Sequence, residues 1–201
     1  MNKAEPLAYR MRPKTLEEYE GQEHVIGPGK LLYRTIKADR LSSIILFGPP
    51  GCGKTSLAKV ISETTKYKFY KINAVTAGVS DIKKIVEETK NFMFNPAGKS
   101  ILFIDEIHRF NKLQQDALLP FVENGTIILI GATTENPYFE VNKALISRSM
   151  VIKLEPLTEK NIYNILKRAL TSQEGLGEYN VKIEDSTLMK IADIANGDVR
   201  T

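Results

Sequence analysis

The sequence predicts an α/β protein with a five-stranded parallel sheet and a small helical appendage, and three observations carry the prediction. Five short β-rich runs recur along the chain, several almost purely apolar, as strands covered on both faces must be. Amphipathic helical patterns separate them, and such alternation builds a parallel sheet flanked by helices. After Pro156 the alternation stops, and two helical patterns follow with no strand between them.

The predicted strands are Ser43–Phe47, Lys68–Asn73, Ser100–Ile104, Thr126–Ile130 and Met150–Leu154. A helix over Asp81–Phe92 places Ile82, Ile85, Val86, Thr89 and Phe92 on one stripe, with Ser80 as its N-cap. Another over Asn111–Glu123 places Leu113, Ala117, Leu118 and Phe121 together, and Pro120 is expected to bend it or end it early. Thr158 caps the first appended helix, which runs to about Leu170. Asp185 or Ser186 opens the second, which runs to about Ala195, and the glycine-rich stretch Glu174–Gly177 joins them. Asn196-Gly197-Asp198 then reads as a helix stop followed by a new N-cap. A helix that begins at the last residues is what a piece of a longer protein is expected to show. The expected division is an α/β base over 1–156, with an N-terminal arm over 1–20, and a helical part over 157–201.

Composition excludes several classes. Over 201 residues, 42% hydrophobic and 26% charged are values of a folded globular protein, not a disordered chain. The single cysteine, Cys52, rules out an intrachain disulfide, and with two histidines the chain cannot assemble a cysteine zinc site. The first six residues lack the apolar segment of a signal peptide, and no aliphatic run approaches the roughly 20 residues that span a bilayer. A soluble cytoplasmic protein is expected, with no membrane partner. The net charge of +4 is unevenly spread, since residues 41–100 carry 9 Lys against 4 acids. That asymmetry reads either as a solvated surface or as a basic face for an anionic partner such as nucleic acid.

The first strand runs into Gly48-Pro49-Pro50-Gly51-Cys52-Gly53-Lys54-Thr55-Ser56, and a helix follows. This is the P-loop pattern in its structural context. The glycines let backbone N–H groups turn inward around a phosphate, and the helix that follows points its positive end at the same group. Lys54 is placed to reach the β- and γ-phosphates, and Thr55 to offer its hydroxyl to Mg²⁺. Cys52 reads as a passenger. The third strand, Ile101-Leu102-Phe103-Ile104, ends in Asp105-Glu106, two carboxylates at the sheet edge where ligands of open α/β sheets bind. Asp105 is the candidate Mg²⁺ ligand, and Glu106 the candidate that polarises an attacking water. A kinase or small GTPase has no need of this second acid, whereas a water-using ATPase does.

Three further residues are candidates. Thr134 follows the fourth strand and reads either as a contact to the γ-phosphate or as a capping Thr at a strand-to-helix turn. Arg148, in Ser147-Arg148, reads alone as a helix C-terminal cation, and Arg200 as a surface arginine.

With these residues together, the chain resembles the AAA+ ATPases, P-loop NTPases with a partial helical lid in this case. Gly48–Thr55 resembles their Walker A motif and Ile101–Glu106 their Walker B. The resemblance puts Thr134 at sensor 1, Arg148 at the arginine finger that acts on a neighbouring subunit, and Arg200 in Gly197-Asp198-Val199-Arg200 at sensor 2. Pro6-Leu7-Ala8-Tyr9-Arg10-Met11-Arg12-Pro13, the run from Asp105 to Asp116, and Gly131–Pro137 are together similar to the replication-associated recombination protein A family. That resemblance implies a DNA-stimulated, ATP- and Mg²⁺-using homo-oligomer at stalled forks. It also implies action on duplex ends or gaps, in association with single-strand-binding protein near the nucleoid, with this chain by itself monomeric. A clamp-loader-like or Holliday-junction branch-migration subunit, a non-hydrolysing nucleotide-binding scaffold and a phosphotransferase are the rivals. The resemblance places the adenine near Arg10, Pro13, His24, Val25 and Ile26, although His24 also reads as an ordinary surface histidine. His108 reads as a helix-start histidine or as a sensor of the site. The loop Ala74–Ser80, flanked by Lys71, Lys83 and Lys84, is a candidate DNA-facing segment.

Overall fold

The computed structural model describes residues 5–93 and 95–200, so the first four residues of the expected arm and the last residue of the chain lie outside it. Three short helices, α1 (Leu7–Arg10), α2 (Glu23–Ile26) and α3 (Leu31–Lys37), precede the sheet and were not anticipated from the sequence. The core then alternates β1 (Ser43–Phe47), α4 (Lys54–Thr64), β2 (Lys68–Asn73), α5 (Val79–Lys90), β3 (Ser100–Asp105), α6 (Lys112–Glu123) and β4 (Ile127–Thr133). Short helices α7 (Pro137–Glu140) and α8 (Lys143–Ile146) lead to β5 (Ser149–Lys153), and α9 (Glu159–Thr171) and α10 (Asp185–Ile194) close the chain.

The five strands form one parallel sheet in the order β2-β3-β4-β1-β5. Alternate residues of each strand feed two cores. Ile44 and Leu46 pack with Phe103, Leu57 and Ile61 on one face, while Ile45 packs with Leu102, Ile104, Ile82 and Leu118 on the other. Both faces are covered, which is why the central strands are apolar without alternation. The edge strand β2 carries Lys68 and Lys71, charges that discourage pairing with another chain. Leu157, Ile162, Ala192 and Ala195 make a third, smaller cluster between α9 and α10.

Several element boundaries differ from expectation, each for a local reason. β4 begins at Ile127 and continues through Gly131, Ala132 and Thr133, all buried and paired with β1. β5 starts and stops one residue early, at Ser149 and Lys153. α5 starts at Val79, because the Gly78 N–H donates to the Asp81 carboxylate (2.8 Å), so Ser80 lies inside the helix. It stops at Lys90, which leaves Phe92 off the stripe and 71% exposed. Asn111 is the N-cap of α6: its side chain accepts the Gln114 N–H while Gln114 accepts the Asn111 N–H, both at 2.9 Å. This geometry turns Gln115 and Leu118 inward and leaves Leu113 72% exposed. α6 runs through Pro120 to Glu123; the proline removes one N–H, and its own carbonyl still accepts from Asn124 (3.2 Å).

Candidate nucleotide site

Strand order decides which residues meet. β4 lies between β3 and β1, so the C-terminal ends of these three strands are neighbours. β1 delivers Gly48–Ser56, β3 delivers Asp105 and Glu106, and β4 delivers Thr133 and Thr134 to one edge. The Gly48 N–H donates to the Thr133 carbonyl (3.2 Å), which ties the start of the P-loop to the tip of β4. Pro50, Gly51, Gly53, Lys54, Thr55 and Ser56 line one cleft, with Asp105, Glu106 and Thr134 opposite and Arg200 reaching in from the C-terminal segment.

The P-loop is already folded. Lys54 is 8% exposed, and its ammonium donates to the carbonyls of Gly48 (2.7 Å) and Pro49 (2.8 Å). Gly53 precedes α4 with φ of 98°, and the first residues of that helix, Lys54, Thr55 and Ser56, line the cleft. A β-carbon at Gly53 would lie 2.5 Å from the Tyr19 hydroxyl, so only glycine lets the arm approach this closely. Cys52 is fully buried, and burial pushes its thiol up, which keeps it protonated and unreactive.

Thr55 and Asp105 bring two hard oxygen donors to the cleft, a set that suits Mg²⁺ shared with phosphate oxygens. Among the described residues no cluster of three or more His, Cys, Asp or Glu stands ready to hold a metal alone. Lys71 of β2 also lines the cleft, with its ammonium 3.9 Å from Asp105. Arg200 is held by Asp198, whose carboxylate accepts from its backbone N–H (2.9 Å) and from its guanidinium (3.2 Å).

The five residues expected around the adenine are divided. Pro13 borders an apolar cavity beside the P-loop, together with Met11, Tyr19, Leu166, Ala169 and Val199. Arg10 instead donates to the carbonyls of Glu174 (2.7 Å) and Gly175 (3.1 Å), fastening the arm to the turn after α9. His24 and Val25 line a separate depression beside β5, where His24 contacts the Lys153 carbonyl at 3.2 Å. Ile26 is buried in the core. The reason is Gln22, whose left-handed backbone (φ 64°) turns α2 toward β5. Its amide is clamped to Glu155 in both directions, at 2.7 and 2.9 Å.

Arg148 also lies away from the cleft, at the opposite end of the sheet. It precedes β5, and Ser149 pairs with Ser43 at the start of β1, whereas the P-loop leaves the other end. Its guanidinium contacts Glu123 (2.8 Å) and the Ala144 carbonyl (2.9 Å). Three residues of the site were not singled out from the sequence: Tyr19, Gln22 and Thr133. Their side chains act through backbone approaches and long-range contacts that no local pattern announces.

Residues 44–156 match the ATPase family associated with various cellular activities (AAA). The chain belongs to the AAA family of ATPases. This AAA chain is 49% identical over 196 residues to replication-associated recombination protein A of Coxiella burnetii and 47% identical over 200 residues to that of Escherichia coli K12. The matches take in 97% and 99% of the chain and 44% of each relative, so the chain spans less than half the length of these two proteins. Among solved structures it is similar to the Thermotoga maritima RuvB Holliday junction branch migration motor. There the TM-score is 0.75 at 30% identity, over 95% of this chain and 62% of that one. No helix among the described residues is long and apolar enough to cross a membrane.

Proposed function

We propose that this AAA chain binds ATP with Mg²⁺ in the cleft and hydrolyses it by in-line attack of water on the γ-phosphate. The observation that carries this is the gathering of Lys54, Thr55, Asp105, Glu106, Thr134 and Arg200 on one cleft. The apolar cavity beside Tyr19 and Pro13 takes the adenine between the arm and α9. Lys54 moves from its two carbonyls to the β- and γ-phosphates, while the N–H groups at the start of α4 hold the rest of the chain of phosphates. Thr55 and Asp105 hold Mg²⁺, which offsets the charge of the polyphosphate. Glu106 polarises and orients the water, and Thr134 and Arg200 bear on the γ-phosphate. Residues 1–156 act as the base and 157–201 as part of a lid.

Arg148 faces away from its own P-loop, and we assign it to the nucleotide of a neighbouring copy, so full turnover belongs to a homo-oligomer. The relatives are named for replication-associated recombination, and the structural neighbour is a branch migration motor. We therefore infer that the work of hydrolysis is done on DNA, at duplex ends, gaps or forks, in the cytoplasm near the nucleoid. Single-strand-binding protein is the proposed companion.

Product analysis with γ-labelled ATP and Mg²⁺ tests the chemistry. Free labelled phosphate is the expected product. Label transferred to an acceptor would make the chain a phosphotransferase, and bound but intact ATP would make it a scaffold.

A further inference from the structure

β3 ends at Asp105, and the next residue, Glu106, has a left-handed backbone (φ 57°). That conformation costs a non-glycine residue about 1–2 kcal/mol, so it persists only where the surroundings hold it. What holds it is the next turn. Ile107 is fully buried in the sheet core, and the 3-10 turn Ile107–Arg109 that it anchors swings the His108 ring back beneath Glu106. The ring is 9% exposed. Its Nδ1 lies 2.8 Å from the Thr133 hydroxyl and 3.4 Å from the Glu106 carboxylate.

Thr133 is fully buried and is committed on every side. Its hydroxyl accepts the Glu135 N–H (3.0 Å) and its carbonyl accepts the Gly48 N–H (3.2 Å). It also immediately precedes Thr134 in the cleft. One imidazole nitrogen therefore faces the proposed water-activating carboxylate and the strand end that carries the proposed γ-phosphate contact. A single ring nitrogen makes one strong hydrogen bond at a time. Accepting from the Thr133 hydroxyl, it leaves the Glu106 lone pairs open to water. In the tautomer with its hydrogen on Nδ1, the N–H lies within 3.4 Å of the Glu106 carboxylate and holds that group back.

We propose that His108 is a positioning residue that couples the Glu106 carboxylate to the tip of β4 through Thr133. The inference rests on Glu106 being the group that activates water. The coupling gives the site a route from phosphate to base: a shift of Thr134 moves Thr133, which alters what the His108 nitrogen offers to Glu106. A buried histidine that merely filled space would need neither polar contact.

The test compares His108→Leu, which keeps bulk without polarity, with His108→Asn, whose amide reaches near the Nδ1 position. Thr133→Val is compared with Thr133→Ser in the same way. Nucleotide affinity is read by titration with a fluorescent ATP analogue, and single-turnover hydrolysis by phosphate release. His108→Leu and Thr133→Val are expected to lower hydrolysis on the order of 10²-fold at unchanged affinity, with partial rescue in His108→Asn and Thr133→Ser. In a Glu106→Gln background His108→Leu should add nothing. Normal hydrolysis by His108→Leu alongside a dead Glu106→Gln overturns the coupling and leaves the ATPase reading standing. Normal hydrolysis by Glu106→Gln overturns Glu106 as the group that activates water, and the coupling with it. Independently of turnover, the ring nitrogen resonances of His108, one of only two histidines, should shift on Glu106→Gln and on Thr133→Val. Their constancy overturns the contact itself.

Discussion

Asp198 rests directly on Gly51. A β-carbon built on Gly51 would lie 2.7 Å from the Asp198 α-carbon and closer still to its carboxylate, and the Gly51 backbone has φ of 72°. The C-terminal segment and the P-loop thus meet backbone to backbone. Burial works against the Asp198 charge, but hydrogen bonds from Arg200 and the field of Lys54 hold its carboxyl below the usual aspartate range. The same contact aims Arg200 into the cleft.

Gly51→Ala is therefore expected to act at a distance. The left-handed backbone costs about 1–2 kcal/mol with a side chain, and the methyl group must push Asp198 away. Hydrogen exchange over residues 185–200 should speed up, and ATP affinity should fall. Asp198→Ala should speed exchange over the same residues while leaving the P-loop itself unstrained.

Lys54→Ala should abolish ATP binding measured by calorimetry. It removes the cation buried within the P-loop and leaves the Gly48 and Pro49 carbonyls facing the phosphates. Affinity like that of the native chain would remove the phosphate site from this cleft.

Arg148→Ala should leave the turnover of isolated copies almost unchanged, because Arg148 sits at the far end of β5 from its own P-loop. A finger supplied across an interface contributes roughly 10³–10⁵ in rate. Turnover per copy should thus rise with concentration in the native chain and stay flat in the variant. Mixing Arg148→Ala with Glu106→Gln should restore part of the activity, since a native Arg148 can then meet a native Glu106. No restoration despite proven exchange of copies would place Arg148 outside the chemistry.

Tyr19→Phe isolates the arm from the phosphate chemistry. Burial pushes the Tyr19 phenol up, so it stays protonated, and it donates to the Gly53 carbonyl at 3.2 Å. Losing that bond should cost about 1 kcal/mol in urea unfolding and leave hydrolysis nearly intact, whereas Tyr19→Ala should also weaken ATP binding by opening the apolar cavity.

The central strands and the P-loop were legible because burial on two faces and phosphate geometry both restrict residue type locally. The end of β4 was not. Gly131-Ala132-Thr133 lacks the bulk that marks a buried strand, yet it is one. A β-carbon at Gly131 would lie 2.8 Å from Ile45 and 2.9 Å from Ile107, so the small residue is what lets the turn after β3 pack down. Leu113 and Phe92 have the spacing of core residues, but the cap at Asn111 and the stop at Lys90 turn them outward. His24 and Val25 have the apolar company of a base pocket, but the long-range clamp between Gln22 and Glu155 carries them to β5. Asp198 and Thr133 act through contacts 147 and 25 residues away in sequence, to Gly51 and His108, which no window along the chain contains.

The most direct measurement is a paired one on the native chain and Glu106→Gln: calorimetric titration with ATP and Mg²⁺, then phosphate release in a single turnover. Both chains should bind with similar affinity, since the amide keeps the size of the side chain and Lys54, Thr55 and Asp105 are untouched. Phosphate release should fall in the variant on the order of 10²–10⁴-fold, because an amide cannot polarise water as a carboxylate does. Equal release by the two proteins would contradict the assignment of Glu106, and with it the account of this cleft as the site of hydrolysis.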